Sequence, residues 1–135
     1  MKNLYTVLVM IALFALSNKG YAQCKPDECV AKVNGGYTFL KSYQIATTGD
    51  KVEYSYVFSK ETNYMLMMCN GGTNQNTIVT LYDSNRKLIA TNYDKVNNKI
   101  FPAIVYQCKA TGIYYMTFTF LNKPECSVSV LAFKK

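Results

Sequence analysis

The stretch Ile113-Tyr114-Tyr115-Met116-Thr117-Phe118-Thr119-Phe120 decides the fold. Tyr114, Met116, Phe118 and Phe120 recur at every second position, the period of a pleated strand whose alternate side chains point to opposite faces. A helix would scatter the same four residues around its axis. Cys126 to Phe133 repeats the pattern, with Val128 and Val130 opposed to Ser127 and Ser129.

Outward from this pair the same period persists. Tyr37, Phe39, Tyr43 and Ile45 alternate with Thr38, Ser42 and Gln44, and Val52, Tyr54, Tyr56 and Phe58 alternate with Glu53 and Ser55. Further strands are expected at Thr77 to Tyr82, Lys87 to Thr91 and Pro102 to Cys108. Tyr64 to Cys69 is apolar throughout, as in a strand covered on both faces, where Met65, Met67 and Met68 can fill irregular gaps. Thr48-Gly49-Asp50, Asn70-Gly71-Gly72, Asp83-Ser84-Asn85, Thr111-Gly112 and Asn122-Lys123-Pro124 supply turn residues between them. About eight short strands so spaced predict an all-β fold, an antiparallel β-sandwich of jelly-roll type. One short N-terminal helix precedes them, near residues 26–34, with Pro26, Asp27 and Glu28 in its first turn, Lys32 in its last and Gly35-Gly36 for a left-handed stop. Strands run from residue 37.

The N-terminus gives the compartment. Lys2, the apolar run Val7 to Leu16 and Gly20-Tyr21-Ala22 read as a signal peptide over residues 1–22, leaving residues 23–135 as a single β-sandwich domain. Ten apolar residues cover about 15 Å as a helix, half of a bilayer core, so no integral membrane span is expected after cleavage. Gln23 rather than a small residue stands before Cys24, which argues against lipidation. The expected location is periplasmic or extracellular. Such a compartment makes disulfides the default for Cys24, Cys29, Cys69, Cys108 and Cys126, and an odd count predicts two bridges and one thiol. If strands simply alternate in direction, Cys69 ends a strand where Cys126 begins one, which predicts Cys69 with Cys126 and Cys108 with Cys24 or Cys29. Cys108 and Cys126 would be separated by a strand of over ~20 Å, too far for a bridge. No C-x-x-C pair suggests zinc.

Composition removes most chemistry. Half of the 135 residues are hydrophobic and 17% are charged, which excludes disorder and coiled coil. The absence of histidine excludes imidazole bases and ligands. Ser84-Asn85-Arg86-Lys87 matches S-x-x-K, but in a hairpin turn, where no helix start holds serine against lysine. Asn70-Gly71-Gly72-Thr73-Asn74-Gln75-Asn76 lacks the G-K-[ST] of a phosphate loop. The chain is therefore read as no enzyme, with no catalytic residue and no cofactor. Its net charge of +7, with Lys2 and Lys19 in the leader, is spread over turns, and export makes nucleic acid an improbable target.

Three sets of residues remain as candidate sites. Twelve tyrosines without a tryptophan make a row of Tyr54, Tyr56, Tyr106, Tyr114 and Tyr115 a candidate surface for a glycan or protein partner, with core packing as the competing reading. The connection Asn92 to Phe101, including Asn92, Tyr93, Asp94, Asn97, Asn98 and Lys99, is long enough to be a functional loop. Asp83 and Asp94, with Asn85 and Asn92, offer oxygens for a weak calcium site if two loops converge, although no run of alternating aspartates supports it and turn formation is the favoured explanation.

Thr80-Leu81-Tyr82-Asp83-Ser84-Asn85, then Lys87-Leu88-Ile89-Ala90, then Thr111-Gly112-Ile113-Tyr114-Tyr115-Met116 resembles the bacterial pre-peptidase C-terminal domain over about residues 50 to 133. The resemblance implies a β-sandwich and a non-catalytic accessory role. Such domains are usually appendages, whereas this chain is expected to stand alone, with an added helix and five cysteines. The leading expectation is a non-enzymatic exported accessory or protein-interaction domain of the bacterial envelope or secretome, with another envelope or secreted protein as partner. The alternatives are a carbohydrate-binding module using surface tyrosines and a secreted inhibitor, which would need a rigid, protruding Asn92 to Phe101 loop.

Overall fold

The computed structural model of the chain describes residues 25–47, 49–69, 76–122 and 126–135, and the backbone of Asn70. In chain order its strands are β1 (Thr38–Gln44), β2 (Lys51–Phe58), β3 (Asn63–Asn70), β4 (Thr77–Tyr82), β5 (Leu88–Thr91), β6 (Tyr93–Asp94), β7 (Lys99–Ile100), β8 (Ala103–Gln107), β9 (Gly112–Phe120) and β10 (Ser127–Lys134). Eight of them form two four-stranded antiparallel sheets, β1-β10-β3-β8 and β2-β9-β4-β5, while β6 and β7 pair only with each other. Of consecutive main strands only β4 and β5 share a sheet; every other connection crosses to the opposite one. The result is a jelly-roll β-sandwich.

Alternation on β9 sends Tyr114, Met116 and Phe118 into the core, against Val79 and Leu81 of β4 and Phe58 of β2. Phe58 is fully buried and stacks on Tyr64 and Tyr114, with ring centroids 3.9 and 4.8 Å away. Such aromatic contacts add about 1 kcal/mol each to the area they bury. On β10 the pattern has a different meaning. Leu131 faces the sandwich core, and Ser127 on the same side meets Thr77 Oγ1 at 2.7 Å. Val128 and Val130 face away from it, into a second apolar layer with Cys29. Both faces of the strand are buried, so its serines mark no wet side.

That second layer is roofed by α1 (Pro26–Val30). The helix is shorter than residues 26–34: after Val30 the chain continues as turns closed by Lys32 N–H to Cys29 O and Val33 N–H to Val30 O. The left-handed residues, Gly35 at φ 68° and Gly36 at φ 80°, lie beyond those turns, and Lys32 is outside the last helical turn. The helix also corrects the disulfide expectation. Cys29 is bridged to Cys69, with Cα atoms 6.0 Å apart, so Cys69 does not pair with Cys126. Cys126 is itself disulfide-bonded, and Cys108 is a buried free thiol, paired with neither Cys24 nor Cys29. Strand direction did bring Cys69 to the start of β10, beside Val128. The side-chain face overrides it: Cys69 points to the outer surface, where the helix lies. The expected signal peptide at 1–22, Cys24 and most of the glycine-rich loop fall outside the described residues.

Candidate functional site

The connection Asn92 to Phe101 is a small hairpin at the end of the sandwich where β4 and β10 begin. Tyr93 pairs with Ile100 and Asp94 with Lys99, leaving residues 95–98 as the turn. Asn98 takes φ 49°, a left-handed conformation that asparagine tolerates better than most residues.

Side chains brace this turn from within. Asp94 Oδ1 accepts the N–H groups of Val96 and Asn97 at 3.0 and 3.3 Å, and its Oδ2 accepts Asn97 Nδ2 at 2.7 Å. The Asn97 amide and then its backbone N–H hold the Asp94 carboxyl below the usual carboxylate range. Tyr93 donates its hydroxyl to Asn98 Oδ1 at 2.9 Å. At the root, Asn92 is 1% exposed; its amide nitrogen donates to Thr77 O and Phe101 O, both at 3.0 Å. Each predicted loop residue therefore has a bracing role, except Lys99, whose ammonium stands 5.0 Å over the Phe101 ring. The apex, by contrast, carries Val96, 93% exposed. Sequence reading passed over Val96, although an isolated β-branched residue among Asp, Lys and Asn was its visible signal.

The tyrosine row does not form. Tyr114 is buried, Tyr54, Tyr56 and Tyr106 pack against the core, and Tyr115 alone of the five lies on the outer face of its sheet. The competing reading, core packing, holds for the other four. Tyr114 donates to Ala110 O at 2.8 Å and meets the hydroxyl of Tyr106 at 3.4 Å, and the Cys108 thiol lies 3.6 Å from it. Burial, followed by these contacts, drives the Tyr114 phenol far above its usual pKa. Tyr43 is pushed up to about 12, again first by burial.

On the outer face, Arg86 reaches across β9 to Glu53 with paired bonds of 2.8 and 2.9 Å, its guanidinium 4.0 Å from the Tyr115 ring centroid. The ring face is thus covered by an arginine rather than open to a sugar. Glu53 and Arg86 are 33 residues apart, and no local pattern announces their contact.

Asp83 and Asp94 are both engaged in turns. Asp83 Oδ1 accepts the N–H groups of Asn85 and Lys87, each at 2.9 Å. No group of three or more metal-ligating side chains is gathered among the described residues. Ser84 of the S-x-x-K sequence donates to Ile113 O at 2.9 Å, which ties the β4–β5 turn to β9.

No protein-family model matches the chain, and no curated protein matches it. Among solved structures the chain is similar to PliG of Aeromonas hydrophila, a periplasmic lysozyme inhibitor of g-type lysozyme, with TM-score 0.48 and 11% identity over 84% of this chain and 95% of that one.

Proposed function

We propose that this chain is an exported, non-catalytic inhibitor that seats its β6–β7 hairpin in the active-site cleft of a secreted hydrolase. The observation that carries the reading is the hairpin itself: four side chains, Tyr93, Asp94, Asn97 and Asn98, hold its turn from within, a buried asparagine fixes its root, and Val96 stands exposed at the apex. A loop already held in its binding shape loses little conformational entropy on docking, which is the basis of tight inhibitor complexes. Lys95 and Lys99 flank the apex. Clefts that hydrolyse glycosidic bonds carry paired carboxylates, and a basic tip complements them. Export is supported by the Cys29–Cys69 bridge, together with the leader expected from the sequence.

This narrows the broader expectation of an envelope interaction domain and ranks above a glycan module, because four of the five tyrosines needed for one pack in the core. Oxidised protein spanning residues 23–135 would be titrated against a panel of secreted peptidases and glycan hydrolases, g-type lysozyme among them. The expected result is stoichiometric inhibition of one member, weakened about a hundredfold by Val96→Asp, in the range of an interface hot spot. A panel with no inhibited member, or inhibition untouched by Val96→Asp, overturns the reading.

A further inference from the structure

The end of the sandwich opposite the hairpin is where β1 and β3 begin and β2 ends, strands of the two facing sheets. Along their shared open side they are joined at one level by Tyr43 and Tyr54, whose rings lie 4.8 Å apart, and by Tyr54 donating its hydroxyl to Gln44 O at 3.2 Å. Further along β1 the register shifts between Phe39 and Lys41. A bulge of this kind bends an edge strand and increases its local twist. Beside it a cleft of about 400 Å³ lies open, within the size range of small-molecule sites.

Its lining has two parts. Leu40, Tyr56, Tyr64 and Phe133 supply apolar and aromatic walls, and Ser59 and Thr62 supply small polar groups. Tyr64 is held in place by stacking on Phe58 and by accepting the Ser59 N–H at 2.8 Å. The turn beside it is fixed too, with Lys60 N–H on Thr111 Oγ1 at 2.9 Å and Glu61 N–H on Cys108 O at 2.8 Å. Tyr64 and the adjoining turn are therefore held in place before any ligand arrives.

Lys60 and Lys135 also line the cleft, and no Asp or Glu does. Neither lysine forms an ion pair with a described carboxylate. Counting a main-chain carboxylate at Lys135 still leaves a positive excess.

We infer that this cleft binds a small amphipathic monoanion, a carboxylate on an aliphatic or aromatic body. The body lies against Leu40, Tyr56, Tyr64 and Phe133, and the carboxylate meets the lysine ammonium groups. A neutral apolar ligand would lack the attraction that a carboxylate has for the two exposed ammonium groups, and a small hydrophilic anion would leave the aromatic wall wet. The inference stands apart from the hairpin, which lies at the other end of the molecule.

The test uses three probes with the oxidised chain, followed by NMR: decanoate, decanol and acetate. Decanoate is expected to shift resonances of Tyr56, Tyr64 and Phe133 saturably, with decanol and acetate each at least tenfold weaker. Lys60→Glu, an exposed change outside the core, is expected to weaken decanoate at least tenfold while leaving the rest of the spectrum in place. Equal binding of decanol and decanoate, shifts that map elsewhere, no saturable shift, or unchanged affinity in Lys60→Glu would each overturn the inference. Lys60→Gln provides a second variant without charge reversal and should fall between the two.

Discussion

Asn92 Oδ1 accepts the backbone N–H of Val79 at 2.8 Å, joining the root of the exposed hairpin to the middle of a core strand. Its amide nitrogen serves two further carbonyls, those of Thr77 and Phe101. One buried side chain thus supplements the backbone bond, Asn92 N–H to Val79 O at 3.3 Å, that already joins the hairpin root to β4. Removing it strands several polar groups at once. Asn92→Ala is expected to destabilise the domain by about 3 kcal/mol, read by chemical denaturation, and to abolish hydrogen-exchange protection at the Val79 amide, whose N–H the side chain accepts. Leucine at the same site would fill the volume and recover little, because the unmet groups remain.

The Cys29–Cys69 bridge closes a separation of 40 residues. In the chain-entropy account such a loop contributes about 4 kcal/mol. Replacing both cysteines by serine should lower stability by roughly that amount and expose Val128 and Val130 as α1 detaches. Peptide mapping without reductant should recover the Cys29–Cys69 crosslink, and Cys108 should resist alkylation until denaturant is added, since it lies in the core at 2% exposure.

Two phenols set an alkaline limit. Tyr43 titrates near 12 in the fold, and Tyr114 is displaced upward as well, both mainly by burial. A phenol in the unfolded chain titrates near ~10. Because the folded values are the higher ones, the neutral phenols' contribution is complete below the unfolded value. It is lost as pH rises from there through the folded value. Unfolding free energy should therefore be insensitive to tyrosine up to about pH 10 and then fall steeply toward pH 12. Tyr43→Phe should flatten part of that fall, with tyrosinate absorbance reporting the delayed ionisation.

The Glu53 carboxyl is held below its usual range, chiefly by the hydrogen bonds from Arg86. A depressed folded value means that the contribution is present above the unfolded pKa and disappears as pH drops through the folded one. Carboxyl NMR titration should find Glu53 low in the native chain and returned toward normal in Arg86→Ala. The effect on stability at neutral pH should be small, as it is for exposed pairs. Tyr115, freed of the guanidinium, should show altered ring shifts in the same variant.

Much of the architecture was legible in the residues because burial imposes a period on them. Tyr114, Met116 and Phe118 announce β9, and the turn chemistry between strands marks where the chain reverses. β10 was legible as a strand but not in its orientation, since Ser127 and Ser129 turn inward while a helix covers Val128 and Val130. The same covering layer redirected Cys69 to Cys29, which strand direction alone could not foresee. The tyrosines misled because a ring with a hydroxyl suits a rim and a core alike; Tyr114 satisfies its hydroxyl internally on Ala110 O. The hairpin segment stood out by length, yet its bracing came from contacts such as Asn92 with Val79, which periodicity does not encode.

The last strand in chain order, β10, occupies the inside of its sheet, between β1 and β3. Synthesis therefore delivers the two flanking partners long before the piece that joins them. Until residues 127–134 have been made, β1 has no strand to pair with and β3 has only β8. A nascent chain stalled before that point would keep an open seam through one layer, and maturation would be a late, all-at-once event rather than a progressive one.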